Sequence, residues 1–365
     1  MSVFGRLKIT KSHICSLAVG LCMGIIFTHT ARYTTLKANF MHIAPDQDSL
    51  HSQRLNHSTN RIEGKSGVLS SENISVAKIL YDKVRVLCWV LTRPGTIATK
   101  AIHVKATWGK RCNVLLFMSS KPSAELAVIA LNVSEGRENL WTKTKAAFEY
   151  IHDHHLNEAD WFLKADDDAY IVVENLRFFL KDYSPEKPVF FGRKFIAPGR
   201  KTYMSGGGGY VLSRAAVSRA VKQGFVDSKL CKVGSGSGED VEMGRCLFNL
   251  GVTAGDSRDE LGRERFHPFD PQMHLIPGQL LKNIWYNEYS YYRPQEGPEC
   301  CSDYAISFHY VSPSMMYVLE YLVYRLKPYG LDAFVTPKIP SKTSRQNDLK
   351  DIIKGTYNTT SRNAV

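Results

Sequence analysis

Hydrophobic positions along the middle of the chain form short runs of strand length, separated by segments with helical spacing. The runs that predict strands lie at 84–92, 113–119, 127–131, 161–165, 188–195 and 306–311. The segments that predict helices lie at 99–109, 137–155, 174–180, 213–221 and 314–326. This alternation predicts a layered α/β domain with a largely parallel central sheet. Ligands bind such sheets at the edge where the strands have their carboxyl ends.

Polar regions flank this domain on both sides. Residues 32–77 are rich in Ser, Asn and His and show no sustained hydrophobic period, which predicts a flexible stem. Residues 336–365 form a polar tail that we predict to be disordered. The folded domain is therefore expected to occupy residues 78–335.

The N-terminal region contains an apolar segment of membrane-spanning length. Residues 14–28 carry no charge, and extension to residue 31 gives 18 residues, which as a helix would span about 27 Å. Arg6, Lys8 and Lys11 precede this segment, so the positive-inside rule leaves residues 1–13 in the cytosol. We predict a signal anchor at 14–31 in a single-pass type II orientation, with a lumenal stem. A cleaved signal peptide is the alternative.

Cysteines and glycosylation sequons agree with a secretory location. The six cysteines beyond the anchor are Cys88, Cys112, Cys231, Cys246, Cys300 and Cys301. An even number in an oxidising lumen predicts disulfides and leaves 15 pairings open. The absence of a CxxC pair among these six argues against a zinc site. The N-glycosylation sequons begin at Asn56, Asn73, Asn132 and Asn358.

The chain is basic, with a formal net charge of +12. Excess positive charge attracts nucleic acid, membrane surfaces or phosphorylated small molecules. The sequence has no long Lys/Arg run, no zinc-finger spacing and no RNA-recognition signature, so we expect no nucleic-acid partner.

Three consecutive aspartates follow the apolar run at 161–165. Asp166 and Asp168 are two residues apart, so on extended chain their side chains point to one face, and Asp167 points to the other. Two ionised carboxylates about 4 Å apart repel by about 4 kcal/mol at an effective dielectric near 20, which favours a compensating cation. Carboxylate oxygens favour magnesium or manganese. A solvated acidic turn is the alternative.

Other candidate residues have structural explanations when each is taken alone. Glu239 and Asp240 open a predicted helix, where acids commonly cap the N-terminus; the alternative is a general base. His309 lies in an apolar run, which is typical of a core histidine. The aromatic cluster at 285–292 is typical of core packing, or of rings that stack on sugars. The glycines at 206–209 indicate close backbone approach and do not form a phosphate loop.

Five motifs together resemble glycosyltransferase family 31, the β1,3-glycosyltransferases. They occur in family order at 161–168 (WFLKADDD), 203–207 (YMSGG), 239–241 (EDV), 300–303 (CCSD) and 307–310 (SFHY). The resemblance covers about residues 78–330. It implies an α/β fold of the GT-A type, a Rossmann-like catalytic glycosyltransferase domain behind an N-terminal transmembrane anchor.

Within the family, the motifs are most similar to those of inverting enzymes that transfer galactose from UDP-galactose. Their acceptor is N-acetylgalactosamine (GalNAc) α-linked to Ser or Thr of glycoproteins, and the product is the core 1 O-glycan. The resemblance implies manganese as cofactor, a lumenal catalytic domain at the Golgi membrane, and a homodimer. Two alternatives stay open: a chaperone-like homologue without activity, and a sister β1,3-glycosyltransferase with another UDP-sugar or acceptor.

The resemblance also implies roles for individual residues. The positions that match metal ligands are Asp166, Asp168 and His309. The positions that match the nucleotide-sugar site are Glu135, Gly136, Arg137, Lys143, Asp166 and Tyr310. The positions that match the acceptor site are Tyr203 and Trp285. Asp240, with Glu239 beside it, matches the acidic pair that supplies the catalytic base.

The chain departs from the family pattern in two places. Gly208 stands where the family usually has alanine, which is a small change. The loop at 233–238, which leads to Glu239, is unusually rich in glycine and bears on how the base is positioned. Cys300 and Cys301 match an adjacent cysteine pair of the family.

Overall fold

The structure is a computed structural model that describes residues 68–196, 201–236, 238–280 and 285–329, with side chains from residue 76 onward. The predicted cytosolic tail, signal anchor, most of the stem and the polar tail lie outside these residues. In the described ranges, no helix combines the length and hydrophobicity that a bilayer crossing requires.

Strands and helices alternate along the described chain, as the hydrophobic pattern predicts. The strands are β1 (Val86–Leu91), β2 (Val114–Ser119), β3 (Val128–Ala130), β4 (Trp161–Asp166), β5 (Tyr170–Ile171), β6 (Val189–Gly192), β7 (Lys194–Ile196), β8 (Thr202–Met204), β9 (Tyr210–Ser213), β10 (Thr253–Ala254), β11 (Phe266–His267) and β12 (Ser307–Phe308). The helices are α1 (Val68–Lys83), α2 (Ile102–Ala106), α3 (Leu140–His155), α4 (Val173–Leu180), α5 (Arg214–Arg219), α6 (Glu239–Asn249), α7 (Pro271–Leu275), α8 (Trp285–Tyr289) and α9 (Pro313–Tyr324).

A seven-stranded sheet lies at the centre, in the order β10-β6-β9-β4-β1-β2-β3. Strand β1 pairs in parallel with β2 and β4, β2 with β3, and β10 with β6. Strand β9 runs antiparallel to β4 and β6 because the chain reaches it from β8 through the short glycine run, without a crossover helix. The prediction of an α/β domain with a largely parallel sheet is confirmed, with β9 as the exception.

The sheet is buried on both faces. In β1, Val86, Cys88 and Val90 belong to one hydrophobic cluster, whereas Leu87 and Trp89 belong to the other. Successive side chains of a strand point to opposite faces, so a strand covered on both sides is hydrophobic throughout. This explains why the sequence shows a continuous apolar run here.

Several predicted boundaries differ from the structure. The helix predicted at 99–109 is α-helical only in α2, with a π-helical turn before it and a 3₁₀ turn after it. Helix α1 begins at Val68, so residues 68–77, which we assigned to a flexible stem, are helical. The single strand predicted at 188–195 is two strands, separated at Arg193, whose buried guanidinium pairs with Glu264. The strand predicted at 306–311 is only β12, and Tyr310 beyond it has a φ of 55°, which no regular strand accommodates.

The predicted disulfides are present and their pairing is now defined. The three bonds join Cys88 to Cys112, Cys231 to Cys246, and Cys300 to Cys301. The second bond ties α6 to the segment that precedes the glycine-rich loop.

Candidate active site

Asp166, Asp168 and His309 converge at the carboxyl end of β4. Asp166 ends that strand, and β5, which follows Asp168, pairs antiparallel with β12. This pairing brings His309, the residue after β12, back to the aspartates. Its Nε2 lies 3.1 Å from an oxygen of Asp168 and 3.6 Å from one of Asp166. One ligand atom from each residue lies within 4.8 Å of the others.

The chemistry of these three groups fits a divalent cation. Lys100 and His309 both contact the Asp168 carboxylate, the lysine at 2.9 Å. Burial raises the pKa of Asp168, but the hydrogen bond and charge of His309, together with Lys100, outweigh burial and hold the pKa well below its usual value. Two carboxylates and one imidazole can therefore hold a hard cation, and the nitrogen ligand favours manganese over magnesium.

Asp167, between the two candidate ligands, faces away from them. Its carboxylate is buried and accepts hydrogen bonds from the hydroxyls of Thr92 at 2.7 Å and Thr96 at 2.6 Å. Thr92 follows β1, so Asp167 fastens the end of β4 to the chain beyond the neighbouring strand. The prediction that the middle aspartate points to the other face is confirmed.

Glu239 and Asp240 open α6 in different environments. Glu239 is buried; its carboxylate accepts a hydrogen bond from the Tyr210 hydroxyl at 2.5 Å and lies 3.8 Å from the Lys164 ammonium. Burial raises the pKa of Glu239 to about 7, although the charge of Lys164 opposes the shift. Asp240 is only half buried and accepts a hydrogen bond from the Gly206 N–H at 3.0 Å. Asp240 is therefore the more accessible carboxylate.

Lys164 connects the two acidic groups, and our sequence analysis did not single it out. Its ammonium is buried, donates to Asp166 at 2.6 Å and to the Gly206 carbonyl at 3.1 Å. Burial alone lowers the pKa of Lys164, but the charges of Asp166 and Glu239 outweigh this effect and raise it. The available signal was a lysine inside an otherwise apolar strand, since buried lysines require a paired charge.

The glycine run fits tightly against this network. A Cβ at Gly207 would lie 2.4 Å from the His309 ring, and one at Gly206 would lie 2.8 Å from a Glu239 oxygen. The predicted close approach is confirmed, and it is to neighbouring side chains. At Gly208 the nearest atoms would be 3.5 Å away, in the backbone of His267, so alanine would also fit there.

The predicted nucleotide positions Glu135, Gly136, Arg137 and Lys143 lie at the same edge of the sheet. Lys143, buried on α3, donates to the Thr92 carbonyl and to the Glu135 carboxylate, both at 2.8 Å. The Glu135 carboxylate also accepts from the backbone N–H of Ser120, which follows β2. Arg137, two residues further on, has an exposed side chain. Lys143 therefore holds the loop in place, whereas Arg137 is free to contact a ligand.

Aromatic rings form the other side of the site. Trp285 is 46% exposed, and its ring lies 5.9 Å from that of Phe269. Tyr310 is 59% exposed, stacks on Phe269 at 6.2 Å, and lies 3.9 Å from the His309 ring. Phe269 thus links the predicted acceptor residue to the predicted metal ligand. Sequence analysis missed Phe269, which lies in a short segment with neither strand nor helix periodicity.

Tyr203, the other predicted acceptor residue, lies beneath this surface. It is only 7% exposed, and its ring packs 5.6 Å from Phe195, which in turn lies 5.5 Å from Trp285. Burial, followed by the charge of Asp240, raises the pKa of the Tyr203 hydroxyl. The side chain remains protonated and supports the aromatic surface from below.

The glycine-rich loop before α6 is attached to the start of α3. The Trp141 backbone N–H donates to the Gly236 carbonyl at 3.1 Å, and its indole N–H donates to the Lys232 carbonyl at 2.9 Å. The Thr142 hydroxyl donates to the Gly234 carbonyl at 3.2 Å. These contacts hold the described part of a loop whose glycines would otherwise leave it unrestrained.

Comparison with known proteins finds similarity to one family over the central part of the chain and to one relative over most of its length. Residues 104–259 match the model of the family described as Fringe-like. The chain is 46% identical over 316 residues to glycoprotein-N-acetylgalactosamine 3-beta-galactosyltransferase 1 of Xenopus laevis. The aligned region covers 86% of this chain and 85% of that protein.

More distant similarity is confined to part of the chain. Identity is 29% over 184 residues to beta-1,3-glucosyltransferase of Mus musculus, which covers 49% of this chain and 37% of that protein. It is 30% over 186 residues to chondroitin sulfate synthase 3 of Homo sapiens, which covers 45% of this chain and 20% of that protein. Together with the ordered motifs and their convergence at one sheet edge, these similarities establish that the chain belongs to the Fringe-like glycosyltransferases of family 31.

Proposed function

We propose that this chain is an inverting β1,3-galactosyltransferase of the GT-A type that makes the core 1 O-glycan. It moves galactose from UDP-galactose to GalNAc α-linked to Ser or Thr of glycoproteins. The observation that carries the proposal is 46% identity, over 86% of the chain, to a Xenopus protein named for a galactosyl transfer to glycoprotein GalNAc. The intact cluster of Asp166, Asp168 and His309 supports an active enzyme over a chaperone-like homologue.

Asp240 is the proposed general base. It accepts the proton of the GalNAc 3-hydroxyl while that oxygen attacks the anomeric carbon of galactose and the bond to UDP breaks. A base must be correctly oriented and accessible, and Asp240 is both: backbone N–H groups of Gly206 and Val241 hold its carboxylate. Glu239 is enclosed by Tyr210 and Lys164, so it is less suited to contact the acceptor.

The departing UDP requires positive charge. Asp166, Asp168 and His309 would hold manganese, which when bound neutralises charge on the leaving diphosphate. Arg137 provides an exposed guanidinium at the same edge, and cations placed where charge develops lower the barrier. Lys143 does not contact the diphosphate directly in this proposal. Its ammonium donates to the Glu135 carboxylate and to the Thr92 carbonyl after β1, so it positions the loop that carries Arg137.

The aromatic surface is the proposed acceptor site. The exposed ring of Trp285 offers a flat apolar face on which the acceptor sugar can stack. Tyr310, which the family resemblance assigns to the nucleotide-sugar site, has an exposed ring on the same surface, next to His309. Both rings contact Phe269, so the surface is held at a fixed position relative to His309. Fixed orientation of an acceptor hydroxyl contributes much of the rate enhancement in a bimolecular transfer.

We also propose a type II Golgi membrane protein with a lumenal catalytic domain. The three disulfides support an oxidising compartment. The apolar segment at 14–31 and the basic residues before it support the anchor and its orientation. A homodimer is part of the proposal, supported by the family resemblance.

The test is a donor panel. The full chain, produced in a eukaryotic secretory host, is incubated with manganese, a GalNAc-peptide and UDP-galactose, UDP-glucose, UDP-N-acetylglucosamine or UDP-N-acetylgalactosamine in turn. We expect transfer from UDP-galactose with a β1,3 linkage, identified by NMR of the product, and no transfer by Asp166→Asn prepared in parallel. Preference for another UDP-sugar would identify a sister transferase. No transfer and no manganese-dependent UDP binding would identify a homologue without activity.

A further inference from the structure

One glycosylation sequon lies in an exposed loop, just before the predicted nucleotide residues Glu135, Gly136 and Arg137. Asn132, Val133 and Ser134 follow β3, and the side chains of Asn132 and Ser134 are exposed. Val133 is half buried against the core, so it holds this loop while the two polar residues face solvent. An N-glycan needs a surface position of this kind, because a buried attachment point would prevent the chain from folding around it.

The other sequons are less favourable or lie elsewhere. Asn73 lies within α1, where backbone hydrogen bonding constrains the chain. Asn56 and Asn358 lie outside the described residues. Within the described ranges, Asn132 is the sequon asparagine that combines a non-helical loop with an exposed side chain.

We propose that Asn132 carries an N-linked glycan, which stands at the open edge of the central sheet beside the loop of Glu135, Gly136 and Arg137, here called the donor loop. The proposal rests on the lumenal location given under the proposed function, and the disulfide-bonded domain supports that location independently of activity.

The chemistry is a glycosyl transfer to an amide. The side-chain nitrogen of Asn132 forms a bond to the anomeric carbon of an oligosaccharide whose donor is a lipid-linked diphosphate. The bond from that carbon to the diphosphate oxygen breaks, the lipid diphosphate leaves with the electron pair, and the amide nitrogen loses one proton to a base.

The position gives the glycan a structural consequence. Strand β3 is the last strand of the central sheet, and among the described residues it pairs with β2 alone, which leaves its other edge open to them. Exposed edges are templates for pairing with another chain, and proteins cover or interrupt them. Three residues beyond Asn132, Glu135 is tied to Lys143, so the glycan stands next to the donor loop while that loop stays anchored. A protein partner would therefore have to bind away from this edge.

Intact-mass measurement of the full chain from a eukaryotic secretory host tests the proposal. Wild-type chain should carry one glycan more than Asn132→Gln, and enzymatic removal of N-glycans should bring the two to the masses of their polypeptides. Ser134→Ala should match Asn132→Gln, whereas Ser134→Thr, which preserves the sequon, should match wild type. Asn139→Gln is the control, because Asn139 lies in the same segment but outside any sequon.

The outcomes separate this proposal from the proposed function. Equal glycan mass in wild type and Asn132→Gln would overturn the site. If Asn56, Asn73 or Asn358 were modified instead, the lumenal location would stand and Asn132 alone would be wrong. A chain with no N-glycan at all would overturn the site, while the disulfides would still support the lumenal location. Galactosyl transfer, measured on the same preparations, is a separate readout, because Asn132 is outside the proposed catalytic groups.

Discussion

The donor side and the acceptor side of the site are held by different kinds of structure. On the donor side, the key groups follow strands of the parallel sheet: Asp166 ends β4, Thr92 follows β1 and Ser120 follows β2. On the acceptor side, Trp285 lies in a five-residue helix, and Tyr310, a predicted nucleotide-sugar residue where the two sides meet, lies just beyond a two-residue strand. Ring contacts position these residues, and no sheet ladder runs through them.

Because of this difference, the donor geometry is fixed by the sheet, whereas the acceptor surface can vary. A parallel sheet places carboxylates through many backbone hydrogen bonds, so the donor geometry depends on the whole domain. Ring contacts depend on a few side chains and can be exchanged without refolding the sheet. A scaffold of this type can retain one donor chemistry while its acceptor surface changes.

The largest expected effect is at the metal cluster. Asp168→Asn should lower kcat/KM for galactosyl transfer by at least about 10³-fold, because a bound metal contributes several kcal/mol of charge stabilisation. Manganese titration of the UDP complex measures the loss of metal affinity, and steady-state kinetics measures the loss of kcat/KM. Asp167→Asn is the matched control: it should unfold at a lower temperature yet keep manganese-dependent activity. Equal loss in both variants would show that the two faces of the aspartate triplet are not distinct.

The next effect is at the base. Asp240→Asn should lower kcat by about 10²-fold or more, the range of a lost general base, with little change in UDP affinity. Glu242→Gln, an acidic residue in the same turn of α6, should leave kcat near wild type. Measurement of kcat at saturating substrates compares the two. Unchanged turnover in a folded Asp240→Asn protein would move the role elsewhere, first to Glu239.

A smaller effect is expected on the acceptor side. Trp285→Ala should raise KM for the GalNAc-peptide about tenfold and leave KM for UDP-galactose unchanged, since one aromatic contact contributes about 0.5–1.5 kcal/mol beyond its buried area. Tyr291→Ala is the control, because Tyr291 is also 46% exposed, but its ring meets that of Tyr292 edge to face at 4.8 Å and is not part of the contacts around Phe269 given above. A rise in both KM values for Trp285→Ala would contradict the separation of the two sides.

The smallest effect concerns Glu239, which lies between the two sides. Its folded pKa is raised to about 7, chiefly by burial, and an unfolded glutamate titrates near about 4.3. Between these values the folded state binds more protons, so this group makes the free energy of unfolding fall as pH rises. Urea unfolding across that window should show a shallower fall for Glu239→Gln. Parallel curves for wild type and variant would rule out the shift.

The strands and the aspartates of the metal cluster were predictable from the sequence pattern, whereas His309 as a ligand, the nucleotide residues and the acceptor residues came from family resemblance. Continuous apolar runs predicted β1, β2 and β4, because strands buried on both faces need apolar residues throughout. The same logic placed Asp166 and Asp168 at the ligand edge and turned Asp167 away. On the acceptor side, Trp285 and Tyr203 came from family resemblance, which does not tell an exposed ring from a buried one.

What escaped prediction depends on contacts between distant segments. The role of Lys164 follows from Gly206 and Glu239, which approach it only after β9 has paired with β4. The disulfide between Cys300 and Cys301 was one of several pairings that the cysteine count allowed. Such details are set by packing, and a local hydrophobic pattern carries no information about them.

The alternation of side chains along β4 also restricts how this protein can evolve. Leu163 and Ala165 belong to the hydrophobic core, whereas Lys164 and Asp166 face the site. A one-residue insertion or deletion within β4 would exchange the two faces, placing charges in the core and apolar groups at the donor edge. Substitution can change one group at a time, but a change of length here would remove all of them together. We therefore expect this strand to keep its length even in descendants that have lost activity.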